Sequence, residues 1–361
     1  FLNNQYPGNM KKAFLLVVVI TATLASYNQN PDAVSGATSG YKQTGNSLYH
    51  RTEETSLKVG ELLVEGEVEN PGKVNLESFY KREVFYKEAM HDNTGEVVFV
   101  GAYRYSGYSL FDLLNGFILK KKNADTFRPE IDVYIIIEND RGEKVTFSWA
   151  EVFFTNIPHQ IIIATESAPI EPHRLEVDYP TGMLWKVVSA NDLVNGRMLE
   201  NPVRITVKTF DKKEYAINRE LRNSFSKQVD VMVNNQLVMT IEPNNLSAPQ
   251  EEYKSVFYGM GMGYHPIPVF NGIELQTLIE QKIVEDVTRW MASGLVCFTG
   301  IDGYRVIYSY SELFNRVDQV KLILATPDHA DKSGYYRIYH PGSFYADMSV
   351  KNLAEIYFFL E

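Results

Sequence analysis

The stretch NPDAVSGATSG, residues 30–40, holds groups that could do chemistry outside a folded core. It combines a carboxylate, two hydroxyls and two small residues, at Asp32, Ser35, Gly36, Ala37 and Thr38. A hydroxyl is a weak nucleophile by itself and reacts only when a neighbouring group or another protein activates it. The small residues keep the backbone thin enough to enter the cleft of a second protein. Two interpretations are open: a linker rich in small residues, or a modification target.

The same stretch resembles the target motif of periplasmic flavin transferases, which is Asp, two residues, Ser or Thr, Gly, Ala and Thr. That motif occurs in FMN-binding domains, including subunits of sodium-pumping and related quinone reductases. The resemblance implies that the Thr38 hydroxyl attacks the pyrophosphate of FAD and keeps FMN as a phosphoester. It also implies that Asp32, Ser35, Gly36 and Ala37 are recognised by the transferase.

The segment before the motif is typical of a secretory signal peptide. After Met10 come two lysines, an apolar run from Ala13 to Ile20, and small residues up to Ala25. The apolar run is shorter than the roughly 20 residues that span a bilayer. We expect cleavage near Ala25, with residues 1–25 removed as upstream sequence and signal peptide. The mature protein is then periplasmic or extracellular, with redox partners outside the cytoplasm or in the membrane.

Composition limits the classes of function. The net charge is −10, which argues against nucleic acid as a partner because the phosphates would be repelled. The 23 Tyr and 20 Phe residues favour strands. The single cysteine, Cys297, can form neither an internal disulfide nor a cysteine zinc site, and its surroundings (GLVCFTG) predict a buried strand.

The chain after residue 56 repeats itself. RGEKVTFSWAEVF is similar to DGYRVIYSYSELF, and IIIAT is similar to LILAT. Both pairs are separated by the same number of residues, which is the distance from Phe153 to Phe314. RYSGYSLFDLLN pairs with PVFNGIELQTLIE and aligns Gly107 with Gly272. The repeat predicts two homologous units, 57–210 and 225–361, after a flexible linker at 26–56.

Each unit is predicted to mix strands with short helices, without a regular alternation, which favours the α+β class. Ser109 is the predicted N-cap of a short helix. A hairpin is expected to turn at Asn139–Gly142 in the first unit and at Asp302–Gly303 in the second.

The order of these motifs resembles small members of the sulfite-oxidase-like, molybdopterin-binding oxidoreductase family. In the first unit it is a strand with G.V..P, then SGYSLFDLL, D.G..V.FSWAEVF, IIIAT and MLWKVV. The resemblance implies that fold for both units. Active members bind molybdenum through a cysteine thiolate before the G..L..LL helix. Neither unit has a Cys there, and Cys297 lies beyond the helix, so we expect no working molybdenum centre.

Two further clusters are candidates for binding. GMGMGYHP offers Met260, Met262 and His265 as soft copper ligands, or else forms a tight loop in which Met fills gaps. The aromatic run GYYRIYHPGSFY could line a ligand cleft with Arg337 as an anion clamp, or form a tyrosine-rich core strand.

Taken together, the sequence predicts an exported redox protein that carries covalent FMN on Thr38 for electron transfer. Two cofactor-poor domains would serve as its docking scaffold. The alternative is a cofactor-free binding or scaffold protein. Whether the chain is an oxidoreductase or an electron carrier stays open.

Overall fold

The computed structural model describes residues 46–361 except for the short gaps 93, 173, 224–225, 243–248, 280–285 and 326–335. The predicted signal peptide and the motif around Thr38 lie outside the described residues. Ser47–Glu361 form one compact unit. No helix in this described part of the chain is both long enough and apolar enough to cross a membrane.

Short strands are the main regular structure of the described chain. In the first half they are β1 (Thr55–Ser56), β2 (Leu63–Gly66), β3 (Gly72–Lys73), β4 (Arg82–His91), β5 (Val97–Ser109), β6 (Val133–Asn139), β7 (Lys144–Ser148), β8 (Ile161–Pro169), β9 (Lys186–Ser189), β10 (Leu199–Glu200) and β11 (Pro202–Thr209). In the second half they are β12 (Val229–Val233), β13 (Gln236–Ile241), β14 (Glu251–Lys254), β15 (Phe257–Gly259), β16 (Gly263–His265), β17 (Val269–Glu274), β18 (Gly294–Gly300), β19 (Arg305–Ser309), β20 (Ile323–Ala325), β21 (Arg337–Tyr339) and β22 (Leu353–Leu360).

The helices are short. They are α1 (Leu110–Asn115), α2 (Trp149–Phe153), α3 (Leu275–Ile279), α4 (Val287–Ser293) and α5 (Tyr310–Phe314). Strand accounts for 44% and helix for 14% of the described residues, and the several small sheets have a propeller-like arrangement. The predicted α+β class, two mixed sheet-and-short-helix domains of sulfite-oxidase-like type, is therefore wrong. Helices of this length rise only about 10 Å, so they cap strands and do not form a layer of their own.

Two five-stranded sheets have the same strand order. The first is β3-β2-β11-β6-β7 and the second is β13-β12-β22-β18-β19. In each sheet the opening strand runs parallel to the closing strand, which pairs antiparallel with the first strand of a hairpin. β7 and α2 in the first half correspond to β19 and α5 in the second, at the offset seen in the sequence.

The remaining strands form a sheet β10-β9-β8-β5-β4 with β1 on β8, a sheet β14-β17-β20-β21, and the hairpin β15-β16. Gly107 on β5 and Gly272 on β17 each lie against the backbone of the next strand. A Cβ atom at Gly107 would come 2.1 Å from the Ile163 oxygen, and one at Gly272 would come 2.4 Å from the Leu324 oxygen. Close strand approach therefore accounts for the pairing of these two glycines in the repeat.

Local predictions fare better than the fold class. Ser109 caps α1, and its hydroxyl accepts the Asp112 N–H at 3.0 Å, as predicted. Gly142 and Gly303 both have φ of +80°, and each lies in the hairpin turn predicted for its unit.

Candidate functional site

The predicted FMN site lies outside the described residues, but the chain that follows it is fixed to the body. Tyr49 stacks on Phe85 of β4, with 4.2 Å between the ring centres. The His50 Nε2 atom lies 3.1 Å from a carboxylate oxygen of Glu83. β1 then pairs with β8. The final part of the predicted linker 26–56 thus packs against the first half of the fold.

Cys297 lies in the middle of β18, and its side chain is fully buried, so the predicted buried strand is confirmed. Burial raises the pKa of the thiol to about 12. Because a metal binds the thiolate and needs access to it, Cys297 in this position is unsuited to be a metal ligand. Among the described residues, no group of three or more His, Cys, Asp or Glu side chains could hold a metal ion.

The GMGMGYHP segment forms the hairpin β15-β16. Met260 and Met262 lie in its turn, and Met262 is 84% exposed, so it fills no gap in the core. The His265 ring instead packs on Phe257, with 5.8 Å between the ring centres. The Met260 N–H donates to Asp347 Oδ2 at 2.7 Å, which holds the turn against the segment that follows β21.

A cleft of about 440 Å³ lies between this hairpin and the segment 340–349. Its aromatic lining comes from both sides: Phe257, Tyr258, Tyr339, Phe344 and Tyr345. This volume lies within the range of small-molecule sites, which are mostly apolar with a few placed polar groups.

The polar floor of the cleft contains His340. Its Nδ1 atom lies 3.2 Å from the Ser343 hydroxyl, and that hydroxyl lies 3.5 Å from the Tyr308 hydroxyl. Burial, together with the charge of Arg316, lowers the pKa of His340 to about 3. The ring is therefore neutral at physiological pH, and it contributes hydrogen-bonding capacity without a charge.

Arg337 is not an open anion clamp. It lies on β21, buried, where its Nε atom donates to the Ser349 hydroxyl at 3.0 Å. Its guanidinium lies 4.8 Å from the centre of the Phe257 ring. The core-strand interpretation of GYYRIYHPGSFY therefore holds for β21, and the residues after β21 line a cleft in which Arg337 is not the clamp.

A second polar site lies where the two halves pack, at the starts of α2 and α5. Both helices begin with a capping box, formed by Ser148 with Glu151 and by Ser309 with Glu312. The Ser148 hydroxyl also donates to Glu312 Oε2 at 2.7 Å, which links the two boxes. Burial, with the neighbouring Glu151 carboxylate, raises the pKa of Glu312 to about 8. Glu312 therefore holds a proton at neutral pH.

Arg197 neutralises the other half of this site. Its Nη1 atom lies 2.9 Å from a Glu151 oxygen, and its Nη2 atom lies 2.5 Å from Asp192 Oδ1. Nη1 also donates to the Ser309 hydroxyl at 3.0 Å. Burial opposes the charge of Arg197, but Asp192 and Glu151 raise its pKa. The void that Glu151 and Glu312 line has a volume of about 10 Å³, which is too small for a substrate.

The sequence carries a partial signal for the second site. The Ser-x-x-Glu box recurs at Ser148 and Ser309, one repeat apart, and predicts two helix starts. Nothing around Arg197 predicts its burial, because only long-range packing places it there.

Comparisons with protein-family models, with curated proteins and with solved structures find no match to this chain.

Proposed function

We propose that this protein is an exported electron carrier that holds FMN on Thr38. The observation that supports the proposal is the ordered match of Asp32, Ser35, Gly36, Ala37 and Thr38 to a flavin-transferase target. A segment typical of a signal peptide precedes the match, and flavin transferases of this type act outside the cytoplasm. The β-rich body would serve as a docking scaffold for extracytoplasmic or membrane redox partners.

The attachment is a phosphoryl transfer that needs no change in oxidation state. The Thr38 hydroxyl oxygen attacks the flavin-side phosphorus of FAD and forms a new P–O bond. The pyrophosphate bond breaks, AMP leaves, and a base of the transferase takes the hydroxyl proton. The bound flavin would supply the electron-carrying group.

The tether between Thr38 and the body is short. Eight residues separate Thr38 from Ser47, so a fully extended chain would put their Cα atoms at most about 30 Å apart. The contact of Tyr49 with Phe85 fixes the far end of the tether. A partner that docks on the body would therefore meet the flavin at a high effective concentration.

Co-expression with a flavin transferase tests the proposal. The intact mass should increase by one FMN phosphoester, and Thr38→Ala should abolish the increase. Thr44→Ala is the matched control, because it removes a hydroxyl from the same segment and should leave the increase unchanged. An unmodified wild-type protein, or a modified Thr38→Ala protein, would contradict the proposal.

A second candidate function is a cofactor-free binding protein. The observation that favours it is the aromatic cleft beside His340, which has the size of a small-molecule site. Saturable binding of a small ligand to protein without flavin would support this function.

A further inference from the structure

Aromatic rings from both sides meet in the cleft between β15-β16 and the segment 340–349, where Tyr258 and Phe344 are arranged edge to face. The Tyr258 ring centre lies 6.1 Å from that of Phe344 and 6.5 Å from that of Tyr345. Tyr258 is 45% exposed and Phe344 is 46% exposed. A flat ring that enters the cleft would cover aromatic surface that the folded chain leaves in water, and stacking would add to this gain.

The charge on the cleft lining favours the binding of an anion. Among the described residues that line it, Lys254 is the one that carries a charge at neutral pH. Arg337 adds a second positive charge directly behind the Phe257 wall. The carboxylate of Asp347 is directed to the Met260 N–H at 2.7 Å. In a chain with a net charge of −10, the ammonium group of Lys254 would attract a negatively charged ligand to this place.

The walls are tied to the core. The Tyr308 hydroxyl donates to the Met348 carbonyl at 2.9 Å, and Ser349 accepts from Arg337. Asp347 holds the hairpin turn from the same segment. The cleft is therefore largely formed before a ligand arrives, which reduces the ordering cost of binding.

We propose that this cleft binds a flat aromatic acid with one or two fused rings and a single carboxylate. The rings would stack on Tyr258 with Phe344 at their edge, and the carboxylate would face Lys254. Asn156 and Ser343 are the polar groups available to further substituents on the ring. The proposal rests on the second candidate function and is independent of FMN on Thr38.

Calorimetric titration of the purified protein with 2-naphthoate tests the proposal, with the neutral 2-naphthamide as the matched ligand. We expect one saturable site that prefers the acid by roughly fivefold or more. Lys254→Gln should remove most of this preference. Tyr258→Ala should weaken the binding of both ligands by roughly fivefold, because it removes one stacking partner.

Two variants serve as controls. Tyr264→Ala removes an exposed tyrosine from the same hairpin outside the cleft, and Lys87→Gln removes an exposed lysine from β4. Both should bind as wild type, and circular dichroism checks that every variant is folded. Absence of saturable naphthoate binding, equal binding of acid and amide, or a Tyr258→Ala variant that binds as wild type would overturn the proposal. The Thr38→Ala variant should bind naphthoate as the wild type does. A negative result in the naphthoate titration therefore leaves the flavin proposal untouched, and a negative result in the flavin test leaves the cleft proposal untouched.

Discussion

The substitution Glu312→Gln tests the buried site at the start of α5. The folded state raises the pKa of Glu312 to about 8, from an ordinary value of 4.5. The folded protein therefore binds this proton more tightly than the unfolded chain does. The stability that the carboxyl contributes is fully present below about pH 4.5 and is lost as the pH rises towards 8. Glutamine keeps the shape and the capping box but has no proton to lose.

The magnitude follows from proton linkage. One proton held only by the folded state changes the free energy of unfolding by about 1.4 kcal/mol per pH unit. Between pH 5 and pH 7.5 the titration of Glu312 lowers the free energy of unfolding of the wild-type protein by roughly 3 kcal/mol. Part of the titration lies outside this interval. Burial also raises the pKa of Glu151, and its pairing with Arg197 opposes that shift. Arg197 and Arg316 keep their charge over this range. The stability of Glu312→Gln relative to wild type should rise by that amount.

The assay is urea unfolding followed by tryptophan fluorescence at several pH values from 5 to 7.5. Glu151→Gln is the matched control from the other repeat, because Glu151 pairs with Arg197 and Glu312 does not. It should destabilise the protein by about 3 kcal/mol at neutral pH, since it leaves part of a buried charge unpaired. If wild type and Glu312→Gln lose stability in parallel as the pH rises, Glu312 is not the protonated member of the pair and the reasoning fails.

Two more predictions concern packing. Gly107→Ala and Gly272→Ala should each lower the free energy of unfolding by about 1–3 kcal/mol, because the added methyl group meets the neighbouring strand. Gly72→Ala, where a Cβ has open space, should change it little; equal urea midpoints for all three variants would contradict the close approach. Cys297 should not react with a thiol reagent in the native protein and should react fully in urea, and rapid native labelling would show that β18 is not closed.

Local structure could be predicted because its causes are local. The cap at Ser109 and the turns at Gly142 and Gly303 depend on residues a few positions apart. The fold class could not, because short strands and short helices in the same order are compatible with several sheet arrangements. Pairing such as β2 with β11 joins segments far apart in the chain, and no pattern within either strand specifies the partner.

The sequence predicts one wall of the cleft and not the other. The aromatic run around Arg337 predicts either a core strand or a cleft wall; in the structure β21 is a core strand and the residues after it line the cleft. The opposite wall comes from Phe257 and Tyr258, far away in sequence, on the hairpin that also carries Met260, Met262 and His265. Lys254 belongs to no recognisable sequence motif, and only the folded chain brings it to the lining of the cleft.

The most direct test of the central claim is mass spectrometry of the N-terminal tryptic peptide from natively produced protein. Cleavage after Ala25 and then at Lys42 gives the peptide Ser26–Lys42, which contains the whole motif. We predict that this peptide carries one FMN and that fragmentation places the phosphoester on Thr38. An unmodified peptide from cells that contain an active flavin transferase would contradict the claim.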